Sequence, residues 1–315
     1  MGLHPQVQKV LRMMEEKVQT PLEQLGVPEA RKRYEAIVQT MSKADKKART
    51  EERKLKGYKN EISVRLYIPE NFTTAGALVY YHGGGWVVGS TQSHDALCHM
   101  IAVESGCIVV SVDYGLAPEN KFPIPVEDAY TAAKWTYDHA EQLEVNRACI
   151  AVGGDSAGGN LAAAVCYLAI QRKTPKIAYQ LLLYPSTSFE RTESLEKYGT
   201  GYYLTKERMA WYREQYLSGS DDVRNPLAAP MLIPEFITGR MPPAYIMTAE
   251  FDPLRDEGKS FAIKLKEAGV PVNYVCYPGM IHGFLVMTEF IDDGKKAITE
   301  IASELKSRFT EMEKF

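Results

Sequence analysis

At 315 residues, 45% hydrophobic and 24% charged, the chain can bury one large α/β domain with an appended piece, or two modest domains. A formal net charge of −3 excludes the basic excess of a nucleic-acid binder, and no apolar run reaches the roughly 20 residues of a membrane span. The five cysteines (Cys98, Cys107, Cys149, Cys166 and Cys276) are scattered singly without a CxxC pair, and read as reduced, mostly buried thiols.

The N-terminus, MGLHPQVQKV, lacks the apolar stretch of a secretory signal, and Gln6 stands where a myristoylation motif wants Ser or Thr. The expectation is a cytoplasmic protein, monomeric or homodimeric, without stable membrane anchoring. Val7, Val10, Leu11, Met14 and Val18 recur at helical spacing. A second helix is predicted after Pro28, with Tyr34, Ile37, Val38 and Met41 on its apolar side. The stretch to about Lys54 reads as helices without strands. Its basic run, Lys43, Lys46, Lys47, Arg49, Arg53, Lys54 and Lys56, reads as a solvated face or a mobile connector.

From Glu61 the rhythm changes. Ile62, Val64, Leu66 and Ile68 alternate with polar residues, as in a half-buried strand. Continuous apolar runs follow at 77–81, 107–112, 149–152, 179–184 and 244–249, the pattern of strands covered on both faces. Helical stretches at 126–139, 159–172 and 258–268 lie between them, which predicts an α/β fold with a mostly parallel central sheet flanked by helices. The segment 186–240 breaks this alternation. It is aromatic-rich, with Tyr198, Tyr202, Tyr203, Trp211, Tyr212 and Tyr216, and reads as a helical insertion. The predicted division is 1–54 as an N-terminal helical part, 55–185 and 241–315 as the core, and 186–240 as a helical insertion.

Gly154-Asp155-Ser156-Ala157-Gly158 is a G-x-S-x-G pattern between an apolar strand and an Ala-rich helical stretch. That arrangement presents a nucleophilic serine on a tight turn, where flanking glycines relieve crowding. A bare strand-to-helix turn, or a phosphate cradle, is the alternative. His82-Gly83-Gly84-Gly85-Trp86 follows a predicted strand, and its glycines can bring backbone N–H groups close to a developing oxyanion. The candidate donors are Gly84, Ala157 and one of Gly83 or Gly85, with His82 as a hydrogen-bonding group that steadies the loop and Asp155 beside the nucleophile.

A serine hydroxyl needs a base and an acid that orients it. Of six histidines, His4 and His139 sit on helices, and His94 and His99 flank Cys98 without the carboxylates of a metal site. His282, in a late loop, remains as the base. Asp252 follows a strand and precedes Pro253, so it reads equally as a helix N-cap and as the acid. Glu250 and Asp256 are its rivals. The order Ser156, Asp252, His282 is that of hydrolases in which the nucleophile comes first and the base last.

His82-Gly83-Gly84-Gly85-Trp86, Gly153–Gly159, Asp252-Pro253-Leu254-Arg255-Asp256-Glu257-Gly258 and His282-Gly283-Phe284 together resemble the hormone-sensitive-lipase-like (bacterial family IV) esterases, from about Ile62 to the C-terminus. The resemblance implies an eight-stranded α/β-hydrolase core and a cap of N-terminal helices plus the insertion. It also implies hydrolysis of small-molecule esters with short- to medium-chain acyl groups, and neither metal nor cofactor. Amide hydrolysis on the same scaffold and a receptor that has lost catalysis are the competing readings. One departure stands out: Gly115 occupies the Arg position of the family's Asp-Tyr-Arg-Leu-Ala-Pro-Glu stretch, which is expected to leave Glu119, Glu127 or Asp128 short of a cation. Breaking a buried pair in this way costs roughly 3–5 kcal/mol unless something compensates.

Overall fold

The apolar runs become the interior of one sheet. In the computed structural model, which describes residues 2–17, 20–44 and 47–312, eight strands lie in the order β1-β2-β4-β3-β5-β6-β7-β8. They are β1 (Ala48–Lys56), β2 (Glu61–Pro69), β3 (Ala77–Tyr81), β4 (Ile108–Asp113), β5 (Ile150–Asp155), β6 (Tyr179–Leu183), β7 (Ala244–Phe251) and β8 (Val272–Ile281). The pairings of β2 with β1 and with β4 are antiparallel, and all the others are parallel.

Successive residues of a strand point to opposite faces, so each strand feeds two cores. Val79, Val110, Val152, Leu182 and Ile246 join one buried cluster, and Leu78, Val109, Ala151, Leu181 and Tyr245 join the other. The first face is covered mainly by α4 (Ile124–Asp138), α5 (Ala157–Arg172) and α9 (Arg255–Glu267). The second is covered by α3 (Asp95–Ser105) and α10 (Asp292–Met312). Double coverage is why these strands are apolar on both sides.

The N-terminal reading needs one correction. Residues 48–56 are an edge strand, not part of a strandless helical region, and the expected boundary at 54 falls inside it. Only Ala48 and Leu55 of β1 are buried, so apolar alternation gives no signal. What holds the strand is its backbone ladder to β2 and a set of ion pairs: Glu52 lies opposite Arg65 and bonds it at 2.6 Å, and Lys54 reaches Glu61 at 2.8 Å. A charged edge of this kind also resists pairing with another chain. Lys46 of the basic run and Val18 of the first apolar stripe lie outside the described residues.

Near the strands' C-terminal ends sit α2 (Val27–Met41), α6 (Glu193–Tyr198) and α7 (Lys206–Tyr216), whereas the short α8 (Glu235–Thr238) lies beside the C-terminal part of α9; α1 (Pro5–Lys17) precedes them in the chain. Segment 186–240 contains helices and no strand. Arg31 on α2 pins that helix to the core, donating to the carbonyls of Val87 and Ala117 at 2.9 Å and to Glu119 at 2.6 Å. Arg208 on α7 reaches Glu23 at 3.1 Å, joining the two helical segments.

These contacts settle the Gly115 question. Glu119 takes its cation from Arg31, and Glu127 takes a bidentate one from Arg172 at 2.7 and 2.8 Å. Among the described residues only Asp128 of these three lacks a cation: it accepts the N–H groups of Tyr58 at 2.7 Å and Gly115 at 3.0 Å, and burial raises its carboxyl above the usual range. A Cβ at 115 would stand 2.9 Å from Asp128 Oδ2, so bare Gly115 leaves room for that carboxylate.

Candidate active site

β5 ends at Asp155 and α5 starts at Ala157, leaving Ser156 alone in the turn with φ +55° and ψ −115°. A non-glycine residue there stores about 1–3 kcal/mol of strain, which the surroundings must hold. They do so by hydrogen bonds. Ser156 N–H donates to the Leu183 carbonyl at 2.8 Å, and its own carbonyl accepts Asn160 N–H at 3.1 Å and Ser186 N–H at 3.2 Å. Gly158 lets the turn lie flush on β3, because a Cβ there would overlap the Tyr81 carbonyl oxygen.

The loop after β8 brings His282 over this turn. Its Nε2 is 2.9 Å from Ser156 Oγ and its Nδ1 is 2.7 Å from Asp252 Oδ2. Asp252 is fully buried and its Oδ1 accepts the Leu254 N–H at 2.8 Å. That second bond fixes the carboxylate plane. Because the carboxylate accepts, Nδ1 carries the imidazole proton and Nε2 is free to accept from the serine hydroxyl. Asp252 is not the N-cap of α9, a place taken by Leu254. Of its rivals, Glu250 accepts Gly279 N–H at 2.7 Å and Asp256 pairs with Arg255 at 2.8 Å.

A cavity of about 190 Å³ opens onto Ser156 and His282. Gly84, Gly85 and Ala157 line it, and none of their N–H groups meets a protein acceptor among the described residues. Gly83 departs from its expected place among the oxyanion donors: its N–H donates to Asp155 Oδ1 at 2.9 Å. The reason is register, since Gly83 stands two residues past the end of β3, the strand that pairs with β5. His82 sits beneath the loop, with Nδ1 2.8 Å from the Gly83 carbonyl and its ring stacked on Tyr114 at 4.4 Å. Burial, with His94 close by, lowers its pKa to about 4, so it is a neutral donor.

Tyr34 of α2 and Phe189, Tyr203, Leu204 and Tyr212 of the insertion close the cavity. Trp86 lines it too, whereas Tyr184 and Phe284 are buried core. Among the described residues no cluster of three or more His, Cys, Asp or Glu is placed to hold a metal, His94 and His99 included.

Sequence reasoning passed over Glu257, which lines the cavity from α9. It is 4% exposed and its Oε1 accepts the N–H groups of Thr187 at 2.7 Å and Ser188 at 3.3 Å. Burial, with the nearby Asp252 charge adding to it, raises its pKa to about 8. Nothing in an isolated Asp-Glu-Gly triplet announces this, because the burial comes from the 186–188 loop folding over it.

Between an ordinary carboxyl pKa of about 4.3 and about 8, the folded chain therefore keeps a proton that the unfolded chain has lost. Its contribution to stability is fully present below that window and lost as pH rises through it. Glu257→Gln keeps the acceptor oxygen and abolishes the titration. Thermal denaturation of both proteins from about pH 5 to about pH 9 is expected to show the variant gaining on the wild type as pH rises, then levelling off. A gap that stays constant with pH would rule out a neutral buried Glu257.

A family model described as alpha/beta hydrolase fold matches residues 78–286, more than half of the chain. The carboxylic ester hydrolase LipN of Mycobacterium tuberculosis is 41% identical over 261 residues, 81% of this chain and 69% of that protein. The chain is a hormone-sensitive-lipase-like esterase of the α/β-hydrolase superfamily. This esterase is also 33% identical over 287 residues to an arylesterase of Saccharolobus solfataricus, covering 90% of the one and 93% of the other. A solved hyperthermophilic esterase from the archaeon Pyrobaculum calidifontis superposes with a TM-score of 0.91 at 40% identity, over 98% of this chain and 99% of that one. The activity class is carboxylic ester hydrolysis. Among the described residues no helix of the esterase is long and apolar enough to cross a membrane.

Proposed function

We propose that this esterase hydrolyses short- to medium-chain carboxylic esters through a Ser156–His282–Asp252 triad and an acyl-enzyme intermediate. The observation that carries the reading is the hydrogen-bonded line from Asp252 through His282 to Ser156 Oγ, at 2.7 and 2.9 Å, opening on a cavity whose floor offers three unpartnered N–H groups. Ser156 Oγ attacks the ester carbonyl carbon as His282 Nε2 takes its proton. The carbonyl oxygen, now negative, is received by the N–H groups of Gly84, Gly85 and Ala157, donors whose alignment is set before the charge appears. As the intermediate collapses, His282 returns the proton to the departing alkoxide, which leaves as the alcohol. Water then attacks the acyl-enzyme by the same route, releasing the acid and restoring Ser156. Asp252 stays ionised throughout, orienting the imidazole and stabilising the imidazolium.

The small cavity and its aromatic walls favour compact acyl groups and aryl or small alkyl alcohols, and a relative that carries the name arylesterase agrees with the second point. A series of p-nitrophenyl esters tests this. kcat/KM is expected to peak at acyl chains of about four to eight carbons and then fall, since each methylene that fails to fit costs roughly 10-fold or more. A maximum at palmitate overturns the chain-length reading. The matched anilide is expected to turn over far more slowly than the ester, and equal rates would favour an amidase.

A further inference from the structure

Beneath the loop that carries the proposed oxyanion donors lies a buried group that the triad does not use. Asp155 Oδ1 accepts two hydrogen bonds, from the Tyr80 hydroxyl at 2.8 Å and from Gly83 N–H at 2.9 Å, and lies 3.2 Å from His94 Nε2. Gly83 N–H also lies 3.4 Å from that Nε2, the longer of its two contacts; facing a carboxylate oxygen, which only accepts, Nε2 carries the proton. The other ring nitrogen lies 2.9 Å from Ser93 Oγ, and the ring is wholly buried against that of His82 at 5.6 Å. His94 stands at the N-cap position of α3 but makes no capping bond, so its side chain does nothing for the helix it precedes. Both of its polar atoms are committed to the structure under the active site. Burial alone would push the Asp155 carboxyl up, but the attraction and hydrogen bonds of His94 and Tyr80 prevail and hold it below the usual range.

The glycine loop has little stiffness of its own, because glycine surrenders more freedom on ordering than any other residue. Its first peptide is tied down by Asp155 and packs so closely on it that a side chain at Gly83 would overlap Asp155 Oδ2. We propose that His94 is a positioning residue for ester hydrolysis: by holding Asp155 it fixes the Gly83 peptide, and thereby aims the N–H groups of Gly84 and Gly85 at the carbonyl oxygen. The inference rests on the reading of those two glycines as oxyanion donors. An oxyanion exists only along the reaction path, so a misaimed loop lowers kcat and leaves KM nearly unchanged.

Steady-state kinetics on p-nitrophenyl butyrate, normalised to the folded fraction, test this with His94→Leu, His94→Gln and Ser93→Ala. His94→Leu removes the N–H and is expected to lower kcat roughly 10- to 100-fold, the scale of a small misplacement at the reacting centre, with KM within about 3-fold. His94→Gln presents an amide N–H in nearly the same place and is expected to recover kcat to within about 5-fold of wild type. A Gln variant as poor as the Leu variant, a loss confined to KM, or an undiminished kcat in His94→Leu overturns the proposal. Should the Leu variant not fold, Ser93→Ala decides, since it frees the ring without emptying the site: kcat about 2- to 5-fold lower at unchanged KM supports the role, and a wild-type kcat overturns it. Turnover lost in Ser156→Ala together with an undiminished His94→Leu would sink this inference alone, whereas turnover kept in Ser156→Ala would sink the triad reading beneath it.

Discussion

Ser156→Ala is expected to cut kcat on p-nitrophenyl butyrate by about 10⁴- to 10⁶-fold while leaving a folded protein that still binds substrate. The size follows from the covalent route: without Oγ there is no acyl-enzyme, and what remains is the residual acceleration from oxyanion donors and binding. The fold should survive because alanine meets the same backbone strain at φ +55° and keeps the main-chain bonds to Leu183, Asn160 and Ser186. Only the 2.9 Å bond to His282 is lost. The check is a comparison of turnover with binding of a non-hydrolysable phosphonate or of the product acid. Near-wild-type turnover would remove Ser156 from the chemistry altogether.

Asp252→Asn is expected to lower kcat by about 10⁴-fold with little change in stability. The two carboxylate oxygens have different tasks. Oδ1 accepts Leu254 N–H at 2.8 Å, and an asparagine carbonyl can take that place. The amide nitrogen then falls where Oδ2 was, 2.7 Å from His282 Nδ1, and it is a donor. His282 must answer with a bare Nδ1, which moves its proton to Nε2 and faces the serine hydroxyl with a donor instead of a base. Serine activation fails although no atom of the turn has moved. Measured kcat together with the thermal midpoint separates this from unfolding: a fall in both by a similar measure would mean that Asp252 acts chiefly as a structural anchor.

The strand–helix rhythm and the chemistry-bearing residue types are legible in the chain alone, because both are short-range properties. Apolar runs at 77–81 and 179–184 suit strands covered on both faces, and glycines around Ser156 mark a turn too tight for side chains. Ser156, Asp252 and His282 were found by order and elimination, and the fold brings their side chains into one hydrogen-bonded line. The rest depends on partners far away in the chain. β1 has no apolar period and exists through its pairing with β2, and Glu119 takes its cation from Arg31, 88 residues earlier. Which glycine of His82-Gly83-Gly84-Gly85-Trp86 gives up its N–H was decided by Asp155, 72 residues on, and the proton held by Glu257 by a loop 69 and 70 residues before it. Periodicity and turn chemistry are written in neighbouring residues. A hydrogen bond made across the sheet, and the burial that shifts a carboxyl group, belong to no segment until the strands lie side by side.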